Sequence, residues 1–167
     1  MRRQINANEL AFFYQKTGEA IWHLQHVEDF LVKLYFVKFI AKKPQSVEET
    51  EASLQLGKLG KKTLGQLIGL LEKSNILSSA FLEKLKGFNN QRKWVVHNSN
   101  RESGDSLYTE TGRLNFIERI CTFTDLAIEI QKEIEASLLQ YVSEQGISSD
   151  EIAVVANRSI EKLQGNV

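Results

Sequence analysis

Apolar residues recur at intervals of three and four over most of this chain, which is the spacing of helices that bury one face. The first long run covers residues 7–41, and a lysine pair followed by Pro44 predicts where it ends. Gly18 lies inside that run and predicts a kink or a break, because glycine costs about 1 kcal/mol in a helix interior. A second long run covers residues 114–143. Two long helices are therefore the main elements that the pattern predicts.

Shorter segments separate the two long runs. Residues 43–53 are predicted to be a linker in which a short helix starts, and residues 54–73 a glycine-interrupted helix. A further helical segment, 80–97, follows Asn75, which is suited to ending a helix, and a serine cap. Residues 98–112 are rich in Asn, Ser, Thr and Gly, and they predict the longest polar loop of the chain.

The last segment and the glycine spacing complete the predicted architecture. Ser148 or Ser149 is expected to cap a C-terminal helix over about 148–164, with the apolar residues that recur from Ile152 to Leu163 facing inward. Gly65 and Gly69 lie four apart, which predicts close packing between helices. No alternating strand pattern occurs.

The sequence thus predicts an all-α fold, a helical bundle with two long antiparallel helices and several shorter ones. A length of 167 residues predicts one domain over 1–167, with its core at about 10–143.

The charges cancel over the whole chain but not along it. Residues 54–101 carry nine Lys/Arg and two Glu, a net charge of +7, whereas residues 102–167 carry a net charge of −7. Zero net charge gives no global attraction for nucleic acid. The basic third instead predicts a local phosphate-binding surface, or self-association of a basic face with an acidic one.

Several classes of protein are disfavoured by composition. Cys121 is the lone cysteine, so no disulfide framework or cysteine-based metal site is expected, and an apolar helical setting predicts a core position for it. The N-terminus has no apolar signal run, and the most apolar segment, 30–41, contains two lysines and is short for a membrane span. We therefore expect a cytoplasmic protein with no membrane association, no cofactor and no recognition of a DNA sequence.

The candidate chemistry lies in residues 89–98, where a guanidinium, an imidazole and several amides gather beside an apolar run. Arg92 and His97 are five residues apart, which in a helix is roughly 140° around the axis and about 7.5 Å along it. Long side chains at that spacing can reach one groove, while Trp94 and its two following valines bury the helix. The alternative is that Arg92 is a surface cation and that His97 is favoured by the helix dipole.

Arg92 and His97 resemble the Arg-x4-6-His motif of HEPN domains, a family of small all-helical proteins that includes RNase toxins, abortive-infection proteins and partners of minimal nucleotidyltransferases. The stretch 17–31 resembles the first long helix of HEPN proteins, in which an acidic residue before the apolar run is common, and this is a second point of resemblance. The residue after the arginine is often Asn in the family, and here it is Lys93.

The resemblance implies a metal-independent endoribonuclease of a toxin or phage-defence type. It also implies a homodimer in which both motifs line one cleft, with Arg92 and His97 as the catalytic residues. Asn90 and Asn98 are then candidates to orient the phosphate, and Lys93 and Arg101 to add charge. The alternative that Lys93 keeps open is a non-catalytic helical module that binds a partner, such as an antitoxin or a nucleotidyltransferase.

Two other sites were weighed from the residues alone. His23 and His26 lie three apart on the first helix, which lacks the spacing of helical two-histidine zinc motifs, so no metal site is predicted. We expect His23 or Glu28 to reach a neighbouring helix instead. Trp22, Trp94 and the aromatic run Phe12–Tyr14 are candidates to line a small-molecule pocket between helices, although aromatic residues at helical spacing are more often core.

Overall fold

The computed structural model describes residues 2–43 and 46–165, and the role expected of Pro44 lies outside them. The described residues form an all-α bundle, as predicted, and an isolated bridge between Arg2 and Thr109 is their only β-pairing. The α-helices are α1 (Ala7–Tyr35), α2 (Glu49–Leu59), α3 (Leu64–Ser74), α4 (Ser79–Lys93), α5 (Ser99–Ser103), α6 (Glu110–Glu144) and α7 (Ser149–Leu163). Two π-helical turns, Phe36–Ala41 and Trp94–Asn98, continue α1 and α4, and a 3-10 turn, Ser106–Tyr108, precedes α6.

The first helix begins at a capping box and runs without a break. Asn6 Oδ1 accepts the N–H of Glu9, and the Glu9 carboxylate accepts the N–H of Asn6. Two of the donors that a helix start leaves unpaired are thereby satisfied. The kink expected at Gly18 is wrong, because α1 is α-helical from Ala7 to Tyr35 and packs along its whole length against α6. Lys42 then ends the helix with a left-handed backbone, at φ 58°.

The single helix predicted over 54–73 is two helices, α2 and α3. Gly60 ends α2, and Thr63 starts α3 with a second capping box, in which the side chains of Thr63 and Gln66 pair with each other's backbone N–H. The buried residues Leu59 and Leu64 lie on either side of the break. The short helix expected to start within residues 43–53 is confirmed, because α2 begins at Glu49.

The close helix packing expected at Gly65 and Gly69 is not found. A Cβ atom added at Gly69 would meet no atom within 4 Å, and one at Gly65 would only reach the Asn89 side-chain amide, at 3.4 Å. These glycines instead form one wall of a shallow groove between α3 and α4.

The long polar loop predicted over 98–112 is also wrong, since most of it is helical. Hydroxyl groups close successive turns: Ser99 donates to the Val95 carbonyl at 2.8 Å, Ser106 to Ser103 at 2.8 Å, and Thr109 to Ser106 at 2.8 Å. Thr109 also caps α6 by accepting the N–H of Gly112. Short polar side chains therefore satisfy backbone groups that a loop would leave to water.

The two long helices are present as predicted, but they run parallel and not antiparallel. The contacts advance along both helices together, from Glu9–Arg113 and Phe13–Phe116 near their starts, through His23–Gln131, to Lys38–Ser137 near their ends.

The direction of α6 follows from the number of reversals before it. α2 returns along α1, because Ala52 lies beside Phe36 and Leu64 lies beside Glu28. α3 and α4 form an antiparallel pair, and so do α4 and α6, in which Phe88 stacks on Phe123 at 4.7 Å between ring centroids. The chain reverses direction at each step from α1 to α2, α3, α4 and α6, with α5 following α4 through the π-helical turn, so α1 and α6 are parallel. The antiparallel arrangement predicted for the two long helices is therefore wrong.

The hydrophobic core lies between α1, α3, α4 and α6. Its centre consists of side chains with almost no exposed surface: Leu31, Leu34, Leu64, Leu67, Leu71, Leu85, Phe88, Ile120, Phe123, Ile130 and Ile134.

The C-terminal helix has the predicted start but not the predicted packing. Ser148 and Glu151 form a capping box at its N-terminus. The side chains that were expected to face inward are exposed, Val155 by 63% and Leu163 by 88%, and no residue of α7 is buried. The apolar face of α7 is therefore unpartnered within the described residues.

Candidate functional site

Arg92 reaches from the end of α4 to a carboxylate on α1. Arg92 Nη2 lies 3.9 Å from Glu28 Oε1, and both side chains are about three-quarters buried. The Arg92 Nε atom is buried without a hydrogen-bond acceptor among the described residues. The arginine thus retains an unused donor beside its ion-pair partner.

Glu28 joins three helices at one point. Its carboxylate accepts the backbone N–H of Leu64, the first residue of α3, and faces the Arg92 guanidinium. Burial raises the pKa of Glu28, and the charge of Arg92 and the Leu64 hydrogen bond oppose that rise without cancelling it. The expectation that His23 or Glu28 reaches a neighbouring helix is confirmed for both, since His23 contacts Gln131 of α6.

The helix changes its winding between Arg92 and His97. The N–H of Ser99 bonds to the carbonyl of Trp94, five residues back, which defines the π-helical turn Trp94–Asn98. A π-turn takes more residues than an α-turn, so Arg92 and His97 are separated by less than the roughly 140° of a regular helix. The two side chains nevertheless lie in different settings, since Arg92 is largely buried beside Glu28 and His97 is exposed.

Trp94 fixes the rotation of this turn. Its side chain is buried between the core and α6, with the Phe116 ring at 6.0 Å and the Arg119 guanidinium 3.6 Å from the indole centroid. Such a cation–π contact is worth about 0.5–2 kcal/mol, depending on how far it is desolvated. The prediction that Trp94 buries this segment is confirmed, and so is burial of Val95, whereas Val96 is exposed.

His97 lies on the outer side of the π-turn. Its imidazole is exposed and has no hydrogen-bond or ionic partner within residues 2–43 and 46–165. An imidazole in that setting is free to approach a ligand.

The four candidate phosphate-binding residues occupy different positions. Lys93 is exposed between Arg92 and the π-turn. Asn98 and Arg101 are brought together, because Arg101 Nη2 donates to Asn98 Oδ1 at 3.3 Å. Asn90 lies instead in the groove beside Gly65 and Gly69. Lys93, Asn98 and Arg101 thus belong to the segment around His97, and Asn90 belongs to the α3 side.

Part of the basic surplus of residues 54–101 is neutralised within the molecule. Lys84 of α4 pairs with Glu129 at 2.8 Å and with Glu133, both on α6, and Lys86 pairs with Glu72 and Glu83. Lys93 and Arg101 take no part in these pairs, so their positive charge remains beside the motif residues.

Two arginines that the sequence did not mark as candidates, Arg113 and Arg119, make contacts at this end of the bundle. Arg113 is buried, donates to the Leu107 carbonyl at 3.0 Å and lies 3.4 Å from the Glu9 carboxylate. Arg119 stacks on Trp94. Their positions depend on contacts with residues far away in sequence, and no local motif marks them.

The aromatic residues proposed for a pocket are divided by the fold. Phe13 and Tyr14 line a cavity beside α5, whereas Trp22 is exposed and Trp94 is core. Cys121, expected in the core, is only partly buried.

The described residues contain neither a metal-binding cluster nor a membrane-spanning helix. Among the described residues, no group of three or more His, Cys, Asp or Glu side chains is arranged to hold a metal ion. None of the helices in that part of the chain has the length and apolar character needed to cross a membrane.

Comparisons of the chain with protein-family models, with curated proteins and with solved structures gave no match. Inference about function therefore rests on the residues and on the geometry around Arg92 and His97.

Proposed function

We propose that this chain is a HEPN-like, metal-independent endoribonuclease of a toxin or phage-defence type that acts as a homodimer. The observation that supports the proposal best is the π-helical turn between Arg92 and His97. Single π-turns inside helices occur frequently at functional sites. Here the turn follows an arginine braced by Glu28 and contains an exposed histidine.

The residue types suit cleavage of RNA by its own 2′-hydroxyl. In that reaction the 2′-oxygen bonds to the adjacent phosphorus, the bond to the 5′-oxygen of the next nucleotide breaks, and a cyclic phosphate is left. His97 would take the proton from the 2′-hydroxyl or give one to the leaving oxygen. Arg92 would hold the phosphate and offset the charge that develops on it.

The single motif histidine of each chain, His97, would supply one of the two proton transfers. A second copy of the chain, placed so that both motifs share a cleft, would supply the other, and this is why the proposal includes a homodimer. Lys93 and Arg101 are exposed on the same segment as His97, and they would attract the RNA backbone.

The decisive experiment is cleavage of a mixed RNA pool in the presence of a chelator. We expect wild type to leave cyclic-phosphate ends, and both Arg92→Ala/His97→Ala and His97→Gln to lose the activity. His26→Gln is a matched control, because His26 lies on α1 beside Trp22 and outside the motif. Absence of cleavage by wild type at high concentration, with the dimer verified, would refute the enzyme proposal.

A second candidate function is a non-catalytic module of the same fold that binds a partner protein, such as an antitoxin or a nucleotidyltransferase. Lys93 in place of the usual asparagine and the Glu28 partner of Arg92 favour it. An RNase toxin should slow the growth of its expression host, and His97→Gln should relieve that effect. A binding module should be harmless, and Arg92→Ala and His97→Ala should leave it associated with its partner.

A further inference from the structure

A cavity of about 580 Å³ opens beside α5, between the start of α1, the 3-10 turn and α6. Its walls include the rings of Phe13, Tyr14, Tyr108 and Phe116. Tyr14 and Tyr108 are exposed by 69% and 47%, so their rings stand at the surface, while Phe13 is buried behind them. The volume lies within the range of about 300–1,000 Å³ that small-molecule sites occupy.

The lining of this cavity indicates what kind of group it would take. None of the described residues that line it carries a formal charge. Beside the aromatic rings it presents side-chain amides, including those of Gln4 and Asn100. Rings bind a flat group by stacking, and amides pair with donors and acceptors along its edge. The lining therefore suits an uncharged planar group with a hydrogen-bonding edge, and it does not suit a phosphate or a carboxylate.

The cavity is adjacent to the candidate catalytic segment. Ser99 and Asn100, which line it, follow His97 on a helical run that continues from the π-turn into α5. Asn100 is three residues beyond His97, so the cavity wall begins within one helical turn of the candidate histidine. A nucleotide bound at His97 would thus have the cavity within reach of its neighbouring base.

We propose that this cavity binds an unstacked nucleobase next to the phosphate held at Arg92 and His97, an inference that rests on the proposed ribonuclease function. Proteins that recognise single-stranded RNA turn bases out and stack them on aromatic side chains. Tyr14 and Tyr108 are the stacking residues, and Gln4 and Asn100 read the edge of the base. The cavity supplies binding that is independent of charge, next to a segment that supplies the charge.

The test is equilibrium binding of a short, single-stranded 2′-O-methyl RNA, measured by fluorescence anisotropy at fixed salt. The methyl group blocks attack by the 2′-oxygen, so binding is measured whether or not the protein cleaves RNA. Stacking on an aromatic side chain is worth enough that Tyr14→Ala and Tyr108→Ala should each weaken binding about 10-fold. Tyr14→Phe keeps the ring and should bind like wild type.

Controls separate a base contact from a general loss of binding. Trp22→Ala removes another exposed aromatic of α1 that lies outside the cavity, and it should leave the affinity unchanged. On an abasic oligomer with the same backbone, wild type and Tyr14→Ala should bind equally. Thermal unfolding of each variant confirms that the fold is intact.

Two results would overturn the assignment. If Tyr14→Ala and Tyr108→Ala bind the RNA as tightly as wild type, the cavity holds no base, while cleavage at Arg92 and His97 would still stand. If neither wild type nor any variant binds the methylated RNA, the base site is refuted whatever the cleavage assay shows.

A different result separates the two proposals. If cleavage is absent but base-dependent binding is present, the ribonuclease proposal fails and the base site remains.

Discussion

At the scale of single residues, the Glu28 carboxylate connects the candidate site to the fold. It is largely buried and serves two partners, the N–H that starts α3 and the Arg92 guanidinium at the end of α4. Removing either partner would leave a carboxylate with less compensation in a setting that already disfavours its charge. The orientation of Arg92 is therefore tied to the packing of α1 and α3.

The first prediction concerns Arg92→Ala and pH. Loss of the guanidinium removes a cause that lowers the pKa of Glu28, so that pKa should rise further. A carboxyl group whose pKa is higher in the folded state than in the unfolded state favours folding when it is protonated. The free energy of unfolding therefore falls as pH rises from the unfolded-state pKa to the folded-state pKa. The variant should lose about 1 kcal/mol at neutral pH, and less near about pH 4. Urea denaturation at both pH values measures the difference.

The matched control is the double variant Glu28→Gln/Arg92→Ala. Without the carboxylate, its stability relative to Glu28→Gln should be the same at both pH values. An equal loss for Arg92→Ala at neutral and acid pH would show that the ion pair is not the cause.

A second prediction concerns Gly112, where only glycine fits. A Cβ atom there would lie 1.9 Å from the Ser106 carbonyl oxygen, so Gly112→Ala must push the 3-10 turn away from α6. We expect a loss of about 1–3 kcal/mol, the usual cost of overpacking. Gly18→Ala is the control, because its Cβ would meet no atom within 4 Å, and it should stabilise the protein by about 0.5–1 kcal/mol. Chemical denaturation that ranks the two variants in the opposite order would contradict this account.

The sequence could mark Arg92 and His97 as candidates because the motif is local, but it could not predict how they are held. The Glu28–Arg92 pair joins residues that are far apart in the chain, and it depends on the rotation of two helices about their axes. The π-turn between the motif residues likewise depends on how Trp94 packs against Phe116 and Arg119. Periodicity assumes regular winding and contains no sign of this change.

At the scale of elements, the N-terminal tail is held against the start of α6. The N–H of Arg3 donates to the Tyr108 carbonyl at 2.9 Å. The Arg3 guanidinium forms an ion pair with the Glu9 carboxylate, which also pairs with Arg113. Glu9 thus links the tail, α1 and α6, and the tail passes beside the aromatic cavity.

The third prediction is that this attachment weakens in acid. The hydrogen bonds from Arg3 and Asn6, helped by the charges of Arg3 and Arg113, lower the pKa of Glu9 to about 2. A lowered carboxyl pKa contributes stability that is present above about 4.5 and is lost as pH falls towards about 2. The protection factor of the Arg3 amide, which is the exchange rate of an unprotected amide at the same pH divided by the observed rate, should therefore fall over that interval.

Glu9→Gln should show a low protection factor at the Arg3 amide already at neutral pH, with no further change on acidification. Glu49→Gln, on the exposed first turn of α2, should behave as wild type. A high protection factor at the Arg3 amide of Glu9→Gln would mean that the backbone hydrogen bond to Tyr108 holds the tail without the carboxylate.

The same contacts explain why the segment 98–112 could not be predicted. Its composition is that of a loop, and its serines and glycines have no helical periodicity. Composition does not reveal the hydroxyl bonds that close its turns, or the contacts of its end, where the Arg3 N–H donates to the Tyr108 carbonyl and Arg113 donates to the Leu107 carbonyl. The caps of α4 and α7, by contrast, could be predicted, because a serine followed by a helical run satisfies its own backbone locally.

At the scale of the whole molecule, the break between α2 and α3 decides how the bundle is wound. Gly60 ends one helix and Thr63 starts the next, which adds one reversal and turns α6 parallel to α1. The sequence predicted the class of fold and its two long helices, since long amphipathic runs are strong signals. Its prediction that the two long helices are antiparallel is wrong, because their relative direction depends on how the helices between them pack and not on apolar spacing.

The last prediction concerns α7, which is amphipathic but buries no side chain. A chain that ends at Gly146 should unfold at the same midpoint as the full chain, because the core lies entirely in the helices before it. Thermal unfolding at several protein concentrations measures this, with Ile130→Ala as a core control that should cost about 2–5 kcal/mol. A lower midpoint for the shortened chain, together with a midpoint that rises with concentration only in the full chain, would show that α7 is buried between copies.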